Sequence, residues 1–317
     1  MKLLIDCDYI VYKCCAATET ELDFGNDVIV VTSSFKEAYS CVARELGKIR
    51  REFGSFDEMI LFFTTPNNFR KKILPDYKGH RNRKKPCGFK RVINKLRSEY
   101  KVVEIDTLEA DDTLGIYATK HTGNIIVSPD KDMRQIPGKL YDFKEVVDIT
   151  PEEGARWHLI QSLAGDNTDG YAGCPTVGIK RATSIFEEKG YTWKAVEETF
   201  VEKGLTEADA LVNARLARIL TTDDFDHDKQ EPILWTPTSE YRVDDGARVP
   251  AETLKKDLIT VLMALQHQNM VLGNSIKQLL NAWPKPPTTK DQTITDEVPL
   301  MFGILLGTKN LDSTSET

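Results

Sequence analysis

The sequence predicts an α/β fold: a mainly parallel sheet with helices on both faces, followed by a helical C-terminal half. Three observations carry this. Short apolar runs alternate with amphipathic stretches through the first 150 residues. From Thr150 onward, apolar residues recur at helical spacing instead. Acidic residues cluster just beyond the ends of the apolar runs. Strands that are apolar throughout, separated by helices, imply parallel pairing with both faces covered.

The first strand is expected at residues 2–5. Met-Lys leads straight into it, which argues against a secretory signal. Ser34-Phe-Lys-Glu37 reads as a capping box and opens a helix running to about Phe53. Further strands are expected at 59–63, 102–105, 124–127 and 140–142, with a helix beginning at Glu109. The second half reads as helices at 151–163, 179–189, 192–203 and 207–220, punctuated by Gly173, Gly178, Gly190 and Gly204. A helical extension of unknown role follows at 241–283, then a linker and tail at 284–317 that begins Pro-Lys-Pro-Pro.

Composition sets the outer bounds. The chain has 317 residues, 40% of them apolar and 29% charged, which suits a soluble globular protein. No run is long and apolar enough for a membrane span. Six cysteines show no Cys-x-x-Cys pairing, so neither a zinc site nor a disulfide framework is expected, and a reducing cytoplasm is. The net charge of −7 hides an uneven distribution. Ten Lys or Arg and His80 lie between Arg70 and Arg91 against one acid, Asp76, and without that stretch the net is −16. A concentrated basic segment in an acidic protein suits a polyanion.

Nine acids carry the chemical signal: Asp6 and Asp8; Glu109, Asp111 and Asp112; Asp130 and Asp132; Asp166 and Asp169. Carboxylates repel one another, so gathering them requires a hard cation. In open parallel sheets, ligands bind beyond the carboxyl ends of the strands, so the clusters can converge although far apart in sequence. Three acids within Glu109–Asp112 exceed what helix capping needs. Asp166-Asn-Thr-Asp169-Gly is rich in turn formers and lacks the regular ligand spacing of an EF-hand. Gly173-Cys-Pro-Thr-Val-Gly178-Ile-Lys180-Arg181 is a tight turn opening a helix, suited to backbone contact with phosphate.

These motifs, in this order, resemble the 5′-nuclease (flap endonuclease) family, and within it the 5′→3′ exonucleases of T-odd bacteriophages. The resemblance spans residues 1 to about 236. It rests on Leu-Leu-Ile-Asp6, Phe69-Arg70, Pro75-Asp-Tyr77-Lys78-Gly-His-Arg81, Leu-Glu109-Ala-Asp111-Asp112, Asp130-Lys-Asp132, Ala-Gly-Asp166-Asn-Thr-Asp169-Gly-Tyr, and the 173–180 turn. It implies a PIN-like core at 1–150 with a helical arch at about 68–98, then a helix–three-turn–helix DNA-binding region at 151–240. It implies two Mg²⁺ or Mn²⁺ ions. Asp6, Glu109, Asp111, Asp112 and Asp130 fall at one, and Asp130, Asp132, Asp166 and Asp169 at or near the other. Tyr77, Lys78 and Arg81 match catalytic arch residues. Arg70, Lys71, Lys72, Arg83, Lys84 and Lys85 are expected to bind DNA along the arch. Gly173, Gly178, Lys180 and Arg181 are expected to hold duplex backbone at the turn, where the family often carries a potassium ion.

The implied activity is metal-dependent hydrolysis of DNA from 5′ ends, nicks or flaps, in phage DNA replication, recombination or host DNA degradation. An RNA–DNA hybrid is admitted as substrate. A monomer in the host cytoplasm is expected, with a replication-protein partner through the C-terminal region. The chain departs from the family in two places. Thr64-Thr65 stands where an acid usually follows the second strand, which opens the position to Asp8 or water. Thr176 stands where the turn usually has a glycine. Two rival readings remain: a haloacid-dehalogenase-like phosphatase, from Ile-Asp6-Cys-Asp8, and a catalytically weakened DNA-binding homologue.

Overall fold

Lys2–Asp6 (β1) is buried on both faces and continues without a loop into the helix Cys7–Ala17 (α1). The computed structural model describes residues 1–80 and 84–237, so Arg81, Arg83 and the regions expected at 241–283 and 284–317 lie outside the described residues. After α1 comes a hairpin, Glu19–Asp23 (β2) and Ile29–Ser33 (β3), that stands apart from the main sheet. Phe35–Phe53 (α2) starts where the capping signal placed it, with the Ser34 side chain accepting the Glu37 N–H. Glu58–Phe62 (β4), Arg70–Ile73 (α3), Phe89–Glu99 (α4), Lys101–Val103 (β5), Ala110–Lys120 (α5) and Asn124–Val127 (β6) follow.

A 3₁₀ turn at Lys131–Gln135 then leads to Gly138–Tyr141 (β7) and Val146–Ile149 (β8). The sheet order is β5-β4-β1-β6-β7-β8, parallel throughout except for β8, which pairs antiparallel with β7 at the edge. Alternate residues serve opposite faces. Leu3 and Ile5 join a core under α1, α2 and α4, while Leu4, Ile60, Phe62 and Ile126 join a core under α5. Burying both faces is what allows these strands to be apolar at every position.

Within the segment expected as an arch, 68–98, α4 packs against the sheet. Phe89, Val92, Ile93 and Leu96 turn one face of α4 into the core, so this helix belongs to the body of the fold. Beyond Thr150, Pro151–Ala164 (α6), Ile179–Lys189 (α7), Trp193–Glu202 (α8) and Glu207–Ala217 (α9) enclose a core around Trp193, Phe186 and Phe200. The described residues nevertheless all fall within one compact unit.

Buried hydrogen bonds join the two halves. Gln135 Nε2 donates to Gln161 Oε1 (2.7 Å) and to Ala217 O (2.6 Å), while its Oε1 accepts from Ile219 N–H (3.0 Å). Buried polar groups fully satisfied in this way specify one docking geometry.

Candidate active site

Seven of the eight acids expected to bind metal line one cavity of about 550 Å³ at the carboxyl end of the sheet: Asp6, Glu109, Asp111, Asp130, Asp132, Asp166 and Asp169. The local structure explains how each arrives. Asp6 is the last residue of β1 and the N-cap of α1. Glu109 is the N-cap of α5, and Asp111 lies in its first turn. Asp130 follows β6 and caps the 3₁₀ turn through the N–H of Asp132 (2.9 Å). Ser128 fixes the two central strands relative to each other. Its hydroxyl donates to Asp6 Oδ2 (2.8 Å) and accepts the Asp130 N–H (3.1 Å).

Asp166 and Asp169 sit on the turn after α6. Its backbone packs against the 173–178 turn so closely that a Cβ on Gly165 would lie 2.3 Å from Gly173 N. Both glycines also hold positive φ, +67° and +65°, so neither position admits a side chain. The two turns therefore move as one piece, which couples the acids to the Gly173–Gly178 segment.

Asp112 is the exception. It is fully buried and lies outside the cavity, with Arg70 donating to both of its oxygens at 2.7 Å. Its Oδ2 also accepts the Glu109 N–H (3.3 Å), completing a capping box. Its carboxylate is thus spent inside the fold, and it orients Glu109 and the segment after α9 rather than facing a cation. Arg70 is corrected with it. Expected on a DNA-facing surface, it is 1% exposed and is consumed by Asp112, Glu109, Leu216 O and Arg218 O.

Tyr77 is also buried, at 2% exposure. Its hydroxyl lies 3.1 Å from Glu109 Oε2 and 2.9 Å from Asp169 Oδ2, so it positions two acids from the cavity wall. Lys78 is half-buried at φ +56° and pairs with Glu109 and Asp169. Its backbone N–H donates to Asp169 O (2.8 Å). Lys71, Lys72, Lys84 and Lys85 are exposed on either side of the 81–83 segment, and Lys180 and Arg181 are exposed at the start of α7. Gly178, the N-cap of α7, has open space around it.

The electrostatics divide the acids into two groups that share Asp130. Burial pushes Asp6 up to about 7, with Asp8 and Asp130 adding repulsion. Burial and repulsion from Asp6 and Asp130 raise Asp111 well above the carboxylate range. On the other side, burial with repulsion from Asp130 pushes Asp132 up to about 7. Glu109 goes the other way: although buried, it is held down at about 2 by Lys78 and Arg70.

Among the described residues, no three acids converge tightly enough to hold an ion as they stand. Several rest on protein partners instead, such as Lys131 on Asp166 (3.4 Å) and Gln161 Nε2 on Asp132 Oδ1 (2.6 Å). Asp6 is nevertheless a buried carboxylate and Asp111 and Asp132 are part-buried ones, each repelled by its neighbours and lining the cavity. That is the donor chemistry a hard divalent cation takes.

Residues outside the expected ligand and arch sets also line the cavity, among them Asp8, Tyr9, Thr64, Lys131, Thr168 and Tyr171. Lys131 was legible, lying between two acids of a predicted site. Ser128, placed two residues before Asp130, carries no signal of its own.

Residues 1–155 match the family model described as 5′-3′ exonuclease, N-terminal resolvase-like domain. An exodeoxyribonuclease of Enterobacteria phage T3 is 26% identical over 283 residues, covering 75% of this chain and 93% of the relative. The exonuclease of Escherichia phage T7 is 25% identical over 281 residues, covering 74% and 93%. A phage T5 protein co-crystallised with metal ions shares the fold, with a TM-score of 0.52 at 15% identity over 68% of this chain and 89% of that one.

Proposed function

We propose that this chain, whose residues 1–155 match the 5′-3′ exonuclease family model, is a 5′-nuclease that hydrolyses DNA phosphodiester bonds from 5′ ends, as exonuclease and at flaps, with two Mg²⁺ or Mn²⁺ ions. The observation that carries the reading is the single cavity where the strand-end acids meet beside exposed lysines. The naming of the phage T3 relative as an exodeoxyribonuclease supports DNA as substrate, and the metal ions with the phage T5 protein support divalent cations. Asp6, Asp111 and Asp130 would hold one ion, and Asp130, Asp132, Asp166 and Asp169 the second. Ions held there would supply Lewis-acid chemistry, activating water at neutral pH and offsetting charge on the leaving oxygen.

The protein's own groups do the rest. Tyr77 and Arg70 hold Glu109 in place from below. Lys78 stands between Glu109 and Asp169 as a cation able to face a phosphate at the cavity. Lys71, Lys72, Lys84 and Lys85 draw the 5′ strand in through its phosphates, without reading sequence. The Gly173–Gly178 turn and Lys180 hold the duplex, and the Gly165–Gly173 contact fixes the distance from duplex to cut.

The test uses 5′-labelled blunt, nicked and flapped duplexes with Mg²⁺, resolving product lengths. The expected result is short 5′ products, abolished by Asp130→Ala. DNA binding without cleavage in both Mg²⁺ and Mn²⁺ would establish the catalytically weakened reading instead.

A further inference from the structure

The sheet delivers acids to the cavity unevenly. β1 ends in Asp6, and β6 runs into Asp130 and Asp132. β4 lies beside β1 on its other flank, with Asp6 paired to Phe62, and continues through Phe63 to Thr64 and Thr65 without an acid. Both threonine side chains are engaged with the loop that carries Glu109. Thr64 Oγ1 accepts the Ala110 N–H (3.1 Å), and Thr65 Oγ1 donates to Leu108 O (3.0 Å). The carboxylate over this strand end comes from elsewhere. Asp8, in the first turn of α1, accepts the Thr64 N–H on Oδ2 at 2.8 Å and lines the same cavity as Asp6 and Asp111.

We propose that Asp8 is a ligand of the divalent cation on the Asp6 side of the cavity, supplying from α1 the acid that β4 lacks. The proposal rests on the two-metal reading above. The geometry makes it specific. β1 passes into α1 with no intervening loop, so Asp6 and Asp8 share one rigid segment, and the bond to Thr64 N–H anchors the Asp8 carboxylate at the end of the neighbouring strand. Divalent-cation affinity is tuned by the number of charged ligands, so a carboxylate fixed at this point contributes directly.

A purely structural role makes a different prediction. Asn keeps an acceptor for the Thr64 N–H and removes only the charge. The measurement is calorimetric titration of Mn²⁺ alone, without DNA, into the full chain and its Asp8→Asn, Asp8→Glu and Asp130→Asn variants, each checked for native far-UV dichroism. Asp8→Asn is expected to fold and to bind Mn²⁺ at least about tenfold more weakly, or to lose one equivalent. Asp8→Glu keeps the charge and is expected to bind more tightly than Asp8→Asn. Wild-type Mn²⁺ affinity in Asp8→Asn overturns the proposal, as does equal weakening in both Asp8 variants. If Asp130→Asn loses Mn²⁺ while Asp8→Asn does not, the metal site stands and Asp8 leaves it. If neither variant changes Mn²⁺ binding, the two-metal reading itself falls.

Discussion

Arg70 shows how far a single side chain can depart from what its sequence context suggests. It opens a run of basic residues, yet every one of its donors points inward, and its guanidinium lies 4.7 Å from the Phe69 ring centroid. Removing it would leave Asp112 charged in a site without solvent. Arg70→Gln should cost about 3–5 kcal/mol, measured by urea unfolding, because breaking a buried pair leaves the partner uncompensated. A loss below about 1 kcal/mol would show that water reaches Asp112. The cavity acids act in the opposite sense. Asp6 and Asp132 are pushed up to about 7 by burial, above their value in the unfolded chain, so the folded state holds their protons more tightly. That stabilisation is present at low pH and lost as pH rises through about 7. His158 opposes it below its ordinary range, since burial pushes it down to about 3, but it adds nothing above pH 7. The melting temperature of chelator-treated protein should therefore fall between pH 6 and pH 8, and Asp6→Asn should flatten the slope. A flat wild-type profile would contradict the burial of these groups.

The elements that were legible in the sequence are those whose signal is local. The Ser34 cap and the continuously apolar strands each fix a boundary through contacts within a few residues. The β2–β3 hairpin was missed although its signal is present. Gly25-Asn-Asp27, all at positive φ, joins Glu19–Asp23 to a run rich in β-branched residues, Ile29–Ser33. Those strands are exposed on both faces, so no hydrophobic alternation marks them. The 173–178 turn shows the converse. Thr176 replaces the glycine that the family favours, and the backbone keeps the glycine-like conformation, with φ +68°. Threonine is strained there, so Thr176→Gly should raise stability by roughly 0.5–1 kcal/mol. Equal or lower stability in chemical denaturation would mean that the turn relaxes in solution.

At the scale of the molecule, the sequence carried the convergence of acids on one sheet edge but not their division of labour. Asp112 and Asp111 are neighbours on the same helix turn, and only the docking of the segment after α9 decides that Arg70 takes the first and leaves the second to the cavity. That choice depends on groups more than 100 residues apart, such as Leu220 N–H to Asp112 Oδ1 at 3.3 Å, which no local pattern records. The same scale resolves how a chain of net charge −7 can hold a polyanion. Eight of its acids line one cavity where cations would neutralise them, while Lys71, Lys72 and Lys84 remain exposed on the adjacent segment. The two charge systems should therefore be separable. Replacing Lys71, Lys72 and Lys84 together by Gln should weaken duplex binding to a similar degree for any sequence. It should also reduce the slope of log affinity against log salt by about one for each phosphate that a lysine no longer neutralises. Mn²⁺ titration in the absence of DNA should not change, because none of the three lines the cavity. A changed Mn²⁺ isotherm would mean that the segment and the metal positions are coupled. An unchanged salt slope would place the DNA path elsewhere on the surface, with the exposed Lys180 and Arg181 at the start of α7 as a candidate basic site.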